Sequence, residues 1–335
     1  MKISALLSTY NNELVIKETI DSVLQQTYRD FEFIIVNDGS TDNTKEIIES
    51  YNDSRIKLIN LEENIGIPKA LNVGLEHCIG NYIIKVDGDD IQHPERFEKQ
   101  LNFMEQNPNY TMSKCLIKYF ANDDEVENTS RYKHRKNFDE KSKNRNKTPE
   151  EITESLMWHC SVSHTTMMIK SDVLKKYKYR NLEIFEDYDL FYRLIRDNLK
   201  IGHFDEELVQ VRVSKNSTTG TTIGQTYLKV AYKIKNHVLN NFKKNPNIFI
   251  WGTGSYAEEL TKFLENKDWD IKGYVDSYNF GDDNYFEGKK IYSSEILNNK
   301  KDIKIIIAAS TGLYEIAACL KRIGYETNKD FIVLK

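Results

Sequence analysis

The sequence predicts an α/β protein of two domains, the first built on a mainly parallel sheet and the second a smaller α/β unit. Three observations predict it. Apolar runs of strand length alternate with helix-period segments through the first hundred residues, a second strand-turn-helix series begins after Pro246, and 335 residues exceed what one hydrophobic core ordinarily organises.

In chain order, ISALLS, FEFIIV, IKLIN and NYIIKV read as strands. Segments opening near Glu13, Asp42 and Pro68 read as amphipathic helices, with Asp42 or Asn43 placed to cap the second and Pro68 suited to the first turn of the third. This βαβα rhythm covers both faces of a parallel sheet with helices and gathers ligands at the carboxyl ends of its strands. Three polar clusters fall at such ends: STYNN after the first strand, NDGSTD after the second and DGDD after NYIIKV. Residues 122–147 then dissolve into charge, DDEVE followed by RYKHRKNFDEKSKNRNK, and read as a solvated insertion loop. The competing reading sets its basic half against acidic lipid or an anionic acceptor. Next come a helical segment near Pro149, the apolar run TTMMI, the helix-like EDYDLFYRLIRD and the strand-like ELVQVRV. A Ser/Thr/Gly-rich stretch, SKNSTTGTTIG, leads into one long amphipathic helix, about Gln225 to Phe242, read as a bridge. Domains are therefore expected at 1–218 and 247–335, with 219–246 as a helical linker. In the second domain NIFIW, IKGYV, IKIIIAAS and FIVL are the expected strands.

Composition narrows the function. With 47 basic against 51 acidic residues the net charge is −4, so no global field draws the chain to nucleic acid. The four cysteines lack CxxC or Cys/His metal spacing, which argues against disulfides and zinc and makes a reducing cytoplasm the expected location. The apolar run at the N-terminus is too short for a signal peptide, and no run of about 18 apolar residues occurs. A peripheral position at the inner face of a membrane stays open.

Asp87, Asp89 and Asp90 crowd one strand end, where a hard divalent cation would offset them and Gly88 would let the backbone turn both flanking carboxylates into one cavity. The alternative is a solvated turn with Asp90 capping the helix that starts near Pro94. Asp38 ends an almost wholly apolar strand, where its carboxylate suits a ring N–H such as N3 of uracil; turn chemistry explains it equally well, and Asp42 is assigned to the helix cap.

Together STYNNE, SVLQQTYRDFEFIIVNDGSTDNT, NIGIPKALNVGL, GNYIIKVDGDD and HPERF resemble the donor-binding half of family 2 glycosyltransferases of the GT-A fold, from Ile3 to about Gln106. A weaker resemblance continues through SHTTMMIK and FEDYDLFYRL to about Ser217. The resemblance implies that Ser8, Thr9 and Tyr10 touch the nucleoside, that Asp38 reads uracil, and that Asp87 and Asp89 end a DxD motif around Gly88, with Asp89 the direct ligand of Mn²⁺ or Mg²⁺. Leu71 stands where many relatives carry arginine, so the diphosphate contact passes to Lys69. Asp187 matches the catalytic base and Glu186 a neighbour orienting acceptor or base, with Asp189 competing. His164 matches a histidine of many relatives, and its expected role is structural. Ser214 stands where several relatives carry a metal-shell histidine, while His93 and Arg96 match positions used for packing and capping.

The implied activity is inverting transfer from a UDP-sugar to a glycan or lipid-linked acceptor in bacterial surface polysaccharide synthesis. One alternative is a non-catalytic nucleotide-sugar-binding scaffold. A sugar-1-phosphate nucleotidyltransferase is the other, and it would need a glycine-rich basic loop after strand one, where STYNNELV has neither glycine nor arginine. GTGSYA after NIFIW, with Asp276 ending the next strand, has the context of a Rossmann-type phosphate turn and ribose acid. The second domain resembles the small Rossmann-like nucleotide-sugar-binding domains of bacterial sugar acetyltransferases. Nucleotide binding, contact with a partner enzyme or a second copy, and a lost ligand all remain open for it.

Overall fold

Residues 1–214, 224–298, 302–309 and 312–334 are described by the computed structural model. The chain divides into two compact units, Met1–Leu156 with Cys160–Gly220 and Met157–His159 with Thr221–Lys335.

The first unit holds eight strands: β1 (Ile3–Thr9), β2 (Phe31–Asn37), β3 (Ile56–Asn60), β4 (Tyr82–Lys85), β5 (Ile91–Gln92), β6 (Met112–Ala121), β7 (Met168–Lys170) and β8 (Ile201–Val213). Their order in the sheet is β3-β2-β1-β4-β7-β6-β8-β5. The first four run parallel, as the βα rhythm requires, and β7 enters antiparallel between β4 and β6. Apolar residues at alternate positions of β1, Ile3, Ala5 and Leu7, join Ile35, Ile84, Val86 and Phe97 in one buried cluster. Thr9 pairs with Asn37 in the parallel register, so the carboxyl ends of β1 and β2 lie side by side, with β4 on the other flank of β1.

The charged segment is folded, contrary to the expected loop. Helices Asp124–Glu127, Ser130–His134 and Glu140–Arg145 flank a π-helical stretch at Arg135–Asp139. Asp123 Oδ1 accepts the Val126 N–H at 2.8 Å and Thr129 Oγ1 the Tyr132 N–H at 3.1 Å, so two of these short helices are properly capped. No apolar stripe signals them because polar side chains dock them: Asn144 pairs with both the N–H and C=O of Ile117, and Glu140 accepts the Tyr119 N–H. Asp90 also departs from expectation. It is buried, accepting the Arg212 N–H at 3.0 Å, and the helix after Pro94, Arg96–Gln106, has no side-chain cap.

In the second unit the expected long helix is two, Gly224–Ile234 and Asn236–Phe242. The break falls at Lys235, a wholly buried lysine whose Nζ donates to the carbonyls of Met157, Trp158 and Val333. Leu228, Ala231, Leu239 and Phe242 of these helices pack in one core with Ile248, Ile250 and Leu260. The sheet has six strands, β9 (Ile248–Trp251), β10 (Ile271–Val275), β11 (Tyr285–Phe286), β12 (Lys289–Tyr292), β13 (Lys304–Ile307) and β14 (Phe331–Val333), in the order β11-β12-β10-β9-β13-β14. The four-strand expectation missed the β11–β12 hairpin, whose turn is Glu287 and Gly288 at φ 46° and 71°, a two-residue turn of left-handed residues between two short strands.

Candidate active site

Three turns meet at the carboxyl ends of β1, β2 and β4. At the end of β1, Ser8 is half-buried, Thr9 buried and Tyr10 exposed, and Asn12 Nδ2 donates to Thr9 Oγ1 at 3.0 Å. The Asp87–Asp89 turn presses on this pair. A Cβ added to Gly88 would lie 2.7 Å from Asn12 Nδ2 and 3.1 Å from Thr9 Oγ1, so glycine is what permits the approach. At the end of β2, buried Asp38 accepts the Ile65 N–H at 2.8 Å on one oxygen and the Gly66 N–H at 3.0 Å on the other. Asp38 thereby anchors the loop that opens helix Ile67–His77, whose first turn holds Pro68 and exposed Lys69 while Leu71 is buried inside. Each Asp38 oxygen keeps a lone pair. Asp42 Oδ1 accepts the Thr44 N–H, and the Asn43 side chain makes no cap.

The acidic turn is held by two cations that the motif reading passed over. Lys85 Nζ, buried at the end of β4, donates to Asp87 Oδ1 at 2.5 Å and to the Val86 carbonyl at 2.7 Å. Burial works against charge on Asp87, but Lys85, with His164 and Arg96 beyond, outweighs it and holds the carboxyl below its ordinary range. Burial and the neighbouring Asp87 push Asp89 up to about 6. Burial, Asp89 and Asp87 push Asp90 well above the usual carboxylate range. Arg212 of β8 closes the turn from the other side: its Nε donates to the Asp89 carbonyl at 2.8 Å, Nη1 to Asn122 Oδ1 at 2.5 Å and Nη2 to Glu18 Oε2 at 2.6 Å. Its guanidinium lies 4.6 Å from the centre of the Phe120 ring. Lone charges within the apolar runs YIIKV and VRV were the available signals for both residues. Ser214 ends this segment, and its carbonyl accepts from Arg131 Nη1 at 3.3 Å. Arg96 packs inside, donating to Gln92, Gln100 and the Lys85 carbonyl.

The acidic pair opens helix Glu186–Arg196 from an unusual turn: Phe185 sits at φ 65°, ψ 29°, a left-handed conformation that bulky residues rarely adopt. Asp187 Oδ1 accepts the Tyr188 N–H at 2.7 Å, and Oδ2 lies 3.7 Å from Cys160 Sγ. Burial and Asp187 raise Glu186 to about 7, and Asp87 adds a smaller push. His164 is buried, with Nε2 at 2.9 Å from the Tyr179 hydroxyl and Nδ1 at 4.0 Å from Glu186 Oε1. Burial and Lys85 lower it to about 4, which leaves it neutral. Asp189 is removed as a base: it is 1 % exposed and paired with Arg193 at 2.8 Å and Arg180 at 3.4 Å. Among the described residues no three His, Cys, Asp or Glu side chains converge as metal ligands.

The profile of the glycosyl transferase family 2 matches residues 4–177. This chain belongs to that family. An uncharacterised glycosyltransferase of Methanocaldococcus jannaschii is 33% identical over 267 residues, 78% of this chain and 88% of its own. The amylovoran biosynthesis glycosyltransferase of Erwinia amylovora is 28% identical over 235 residues, 68% of this chain and 81% of its own. Among solved structures, S. aureus TarS 1-349 in complex with UDP-GlcNAc superposes with a TM-score of 0.56 at 22% identity, covering 81% of this chain and 74% of that one. The glycosyltransferase unit thus has the GT-A fold, and the nucleotidyltransferase alternative falls away. Residues 244–331 match the family described as C2185-like, N-terminal. No helix among the described residues is long and apolar enough to cross a membrane.

Proposed function

We propose that this glycosyltransferase moves a sugar from a UDP-sugar to a glycan or lipid-linked acceptor in surface polysaccharide synthesis, inverting the anomeric carbon, with Asp187 as general base. The observation that carries the reading is the presence of two separately braced acidic groups, Glu186 and Asp187 opening helix Glu186–Arg196 and the Asp87–Asp89 turn at the end of β4, the latter held by Lys85 and Arg212. Single displacement needs a leaving diphosphate on one side and a base on the other, and two acidic groups with separate supports suit those two roles.

Asp87 and Asp89 suit a hard divalent ion, Mg²⁺ or Mn²⁺: two carboxylates flank one glycine, and burial leaves Asp89 short of compensating charge. Such an ion, when bound, would offset the charge that develops on UDP. Ser8, Thr9, Tyr10 and Asp38 line the strand ends where a nucleoside would rest, and exposed Lys69 stands near the loop that Asp38 anchors, suited to a phosphate. Asp187 takes the acceptor hydroxyl proton while the hydroxyl oxygen bonds to the anomeric carbon and the bond from that carbon to the diphosphate oxygen breaks. Glu186, held near neutrality, orients the acceptor.

In the second unit Asp276 accepts from Thr253 Oγ1, Tyr278 N–H and Asn279 N–H, so its oxygens shape their own turn. That favours a scaffold or partner-contact role over ribose recognition. A membrane-surface location at the cytoplasmic face belongs to the same reading through the lipid-linked acceptor.

The test is UDP release from a panel of UDP-sugars with Mn²⁺. Wild-type protein should release UDP, and Asp89→Asn, folded by circular dichroism, should not. Normal turnover by the variant sinks the metal assignment.

A further inference from the structure

We infer that Lys143, carried on the helical insert, is a positioning residue for Asp187, clamping the Cys160–Val162 segment against that carboxylate and supplying a positive charge beside it; this rests on Asp187 being the base. The helix Glu140–Arg145 lies along the edge of β6 that β8 leaves unpaired, since β7 pairs only with Met112 and Ser113. Glu140 Oε2 accepts the Tyr119 N–H at 2.6 Å; Asn144 Oδ1 accepts the Ile117 N–H at 3.0 Å, and its Nδ2 donates to the Ile117 carbonyl at 2.8 Å. Spacing explains the fit. Four residues of helix advance about 6 Å and two residues of strand about 6.6 Å, so side chains one turn apart meet successive outward-facing peptide groups. Lys114 Nζ adds a bond to the Lys143 carbonyl at 2.9 Å.

With its backbone fixed in this way, Lys143 has one direction to extend. Its Nζ donates to the Cys160 carbonyl at 2.6 Å and the Val162 carbonyl at 3.0 Å, and lies 3.7 Å from Cys160 Sγ. The same sulfur lies 3.7 Å from Asp187 Oδ2. Burial acts against the ammonium, yet the Cys160 sulfur, the Tyr119 hydroxyl and the Asp187 and Asp139 carboxylates outweigh it and raise its pKa, so Lys143 is charged at working pH. The other titratable groups that face Asp187 are Cys160, Glu186, His164 and Tyr179. Burial leaves the thiol, the imidazole and the phenol neutral, and the Glu186 carboxyl, raised to about 7, carries no positive charge in either form, so Lys143 is the cation in this set. A segment that looks like spacer in the sequence therefore reaches the reacting end of the acceptor side.

The experiment compares Lys143→Met and Lys143→Gln with Lys143→Arg in the full chain. The readouts are UDP release from the UDP-sugar turned over fastest in the panel, as a pH profile with Mn²⁺, and UDP affinity by titration. Loss of the ammonium should lower kcat by about 10- to 100-fold through misplacement of the base, leave UDP affinity within about twofold, and move the acid limb of kcat upward by about one pH unit. Lys143→Arg should keep the limb at the wild-type position. An unmoved limb in both neutral variants, or kcat and UDP affinity falling together, overturns the inference. The folded fraction is followed by circular dichroism at each pH and kcat is taken per folded molecule, so acid unfolding of a destabilised variant is not read as a moved limb, and glutamine keeps a donor for the Cys160 carbonyl. If Asp187→Asn retains turnover, the base assignment fails; if that variant is dead and the limb is unmoved, the Lys143 role fails alone.

Discussion

Arg212→Met removes the cation that ties the acidic turn to the rest of the glycosyltransferase unit while keeping a long apolar side chain over Phe120. The pair with Glu18 is worth less than 1 kcal/mol, because the Glu18 side chain is 62% exposed. The bonds to the Asp89 carbonyl and to Asn122 are charge-assisted and part-buried, each worth about 1.5 kcal/mol. Loss of the guanidinium from the Phe120 face adds about 0.5 kcal/mol. The sum is about 4 kcal/mol, and at roughly 2–4 °C per kcal/mol for a unit of this size the first unit should melt about 10 °C lower. The Asp89 backbone also loses its anchor, so the Mn²⁺ concentration for half-maximal UDP release should rise by about tenfold or more. Differential scanning calorimetry and a metal titration check both effects. A melting point within 2 °C of wild type together with an unchanged metal requirement would refute the assignment of Arg212 as the brace of the turn.

Asp187→Asn should bind UDP with wild-type affinity and lose transfer by about 10³-fold or more, as read by isothermal titration alongside UDP release; a large loss of UDP affinity would move Asp187 to the donor side. Glu186 has a folded pKa of about 7 against 4.5 unfolded, so its contribution to stability is complete below pH 4.5 and is lost as pH rises through 7. Glu186→Gln should therefore be more stable than wild type by up to about 3 kcal/mol at pH 8 and little different at pH 4, in urea unfolding curves. For His164 the folded value is about 4 against 6.5 unfolded, so stability is intact above pH 6.5 and falls as pH drops towards 4. His164→Gln should flatten that slope, and a slope equal to wild type would show that the imidazole titrates freely in the folded chain.

Much of the donor half was legible because periodicity and turn chemistry agreed there. β1 to β4 are apolar runs whose polar ends mark the turns, and Pro68 sits in the first helical turn where its fixed φ belongs. The weaker readings share one cause: the deciding partner is distant in sequence. Asp90 read as a local cap but bonds Arg212, 122 residues away. Asp38 read equally as a ligand contact or as turn chemistry of its own NDGSTD cluster, and the backbone it holds, at Ile65 and Gly66, lies 27 and 28 residues on. Residues 122–147 show no apolar period because Glu140, Lys143 and Asn144 dock through hydrogen bonds, which hydropathy does not register. Lys85 and Arg212 were visible as charges inside apolar strands, a pattern that calls for a partner even when the sequence does not say which.

The manner in which β6 is covered has a consequence for how such enzymes diversify. An uncovered strand edge is a template for association with another chain, and folds guard it with short strands, charged side chains, bulges or a covering helix or loop. Here Asn144 and Glu140 act as a stopper, occupying the peptide groups of Ile117 and Tyr119 without adding to the sheet. A stopper made of two side chains one helical turn apart can be swapped for a different insert without re-threading a single strand, so this segment can vary while the pairing of the sheet stays put. The same economy carries a risk: a chain trimmed of residues 122–147 would bare that edge and be expected to self-associate, even with every strand of the sheet intact.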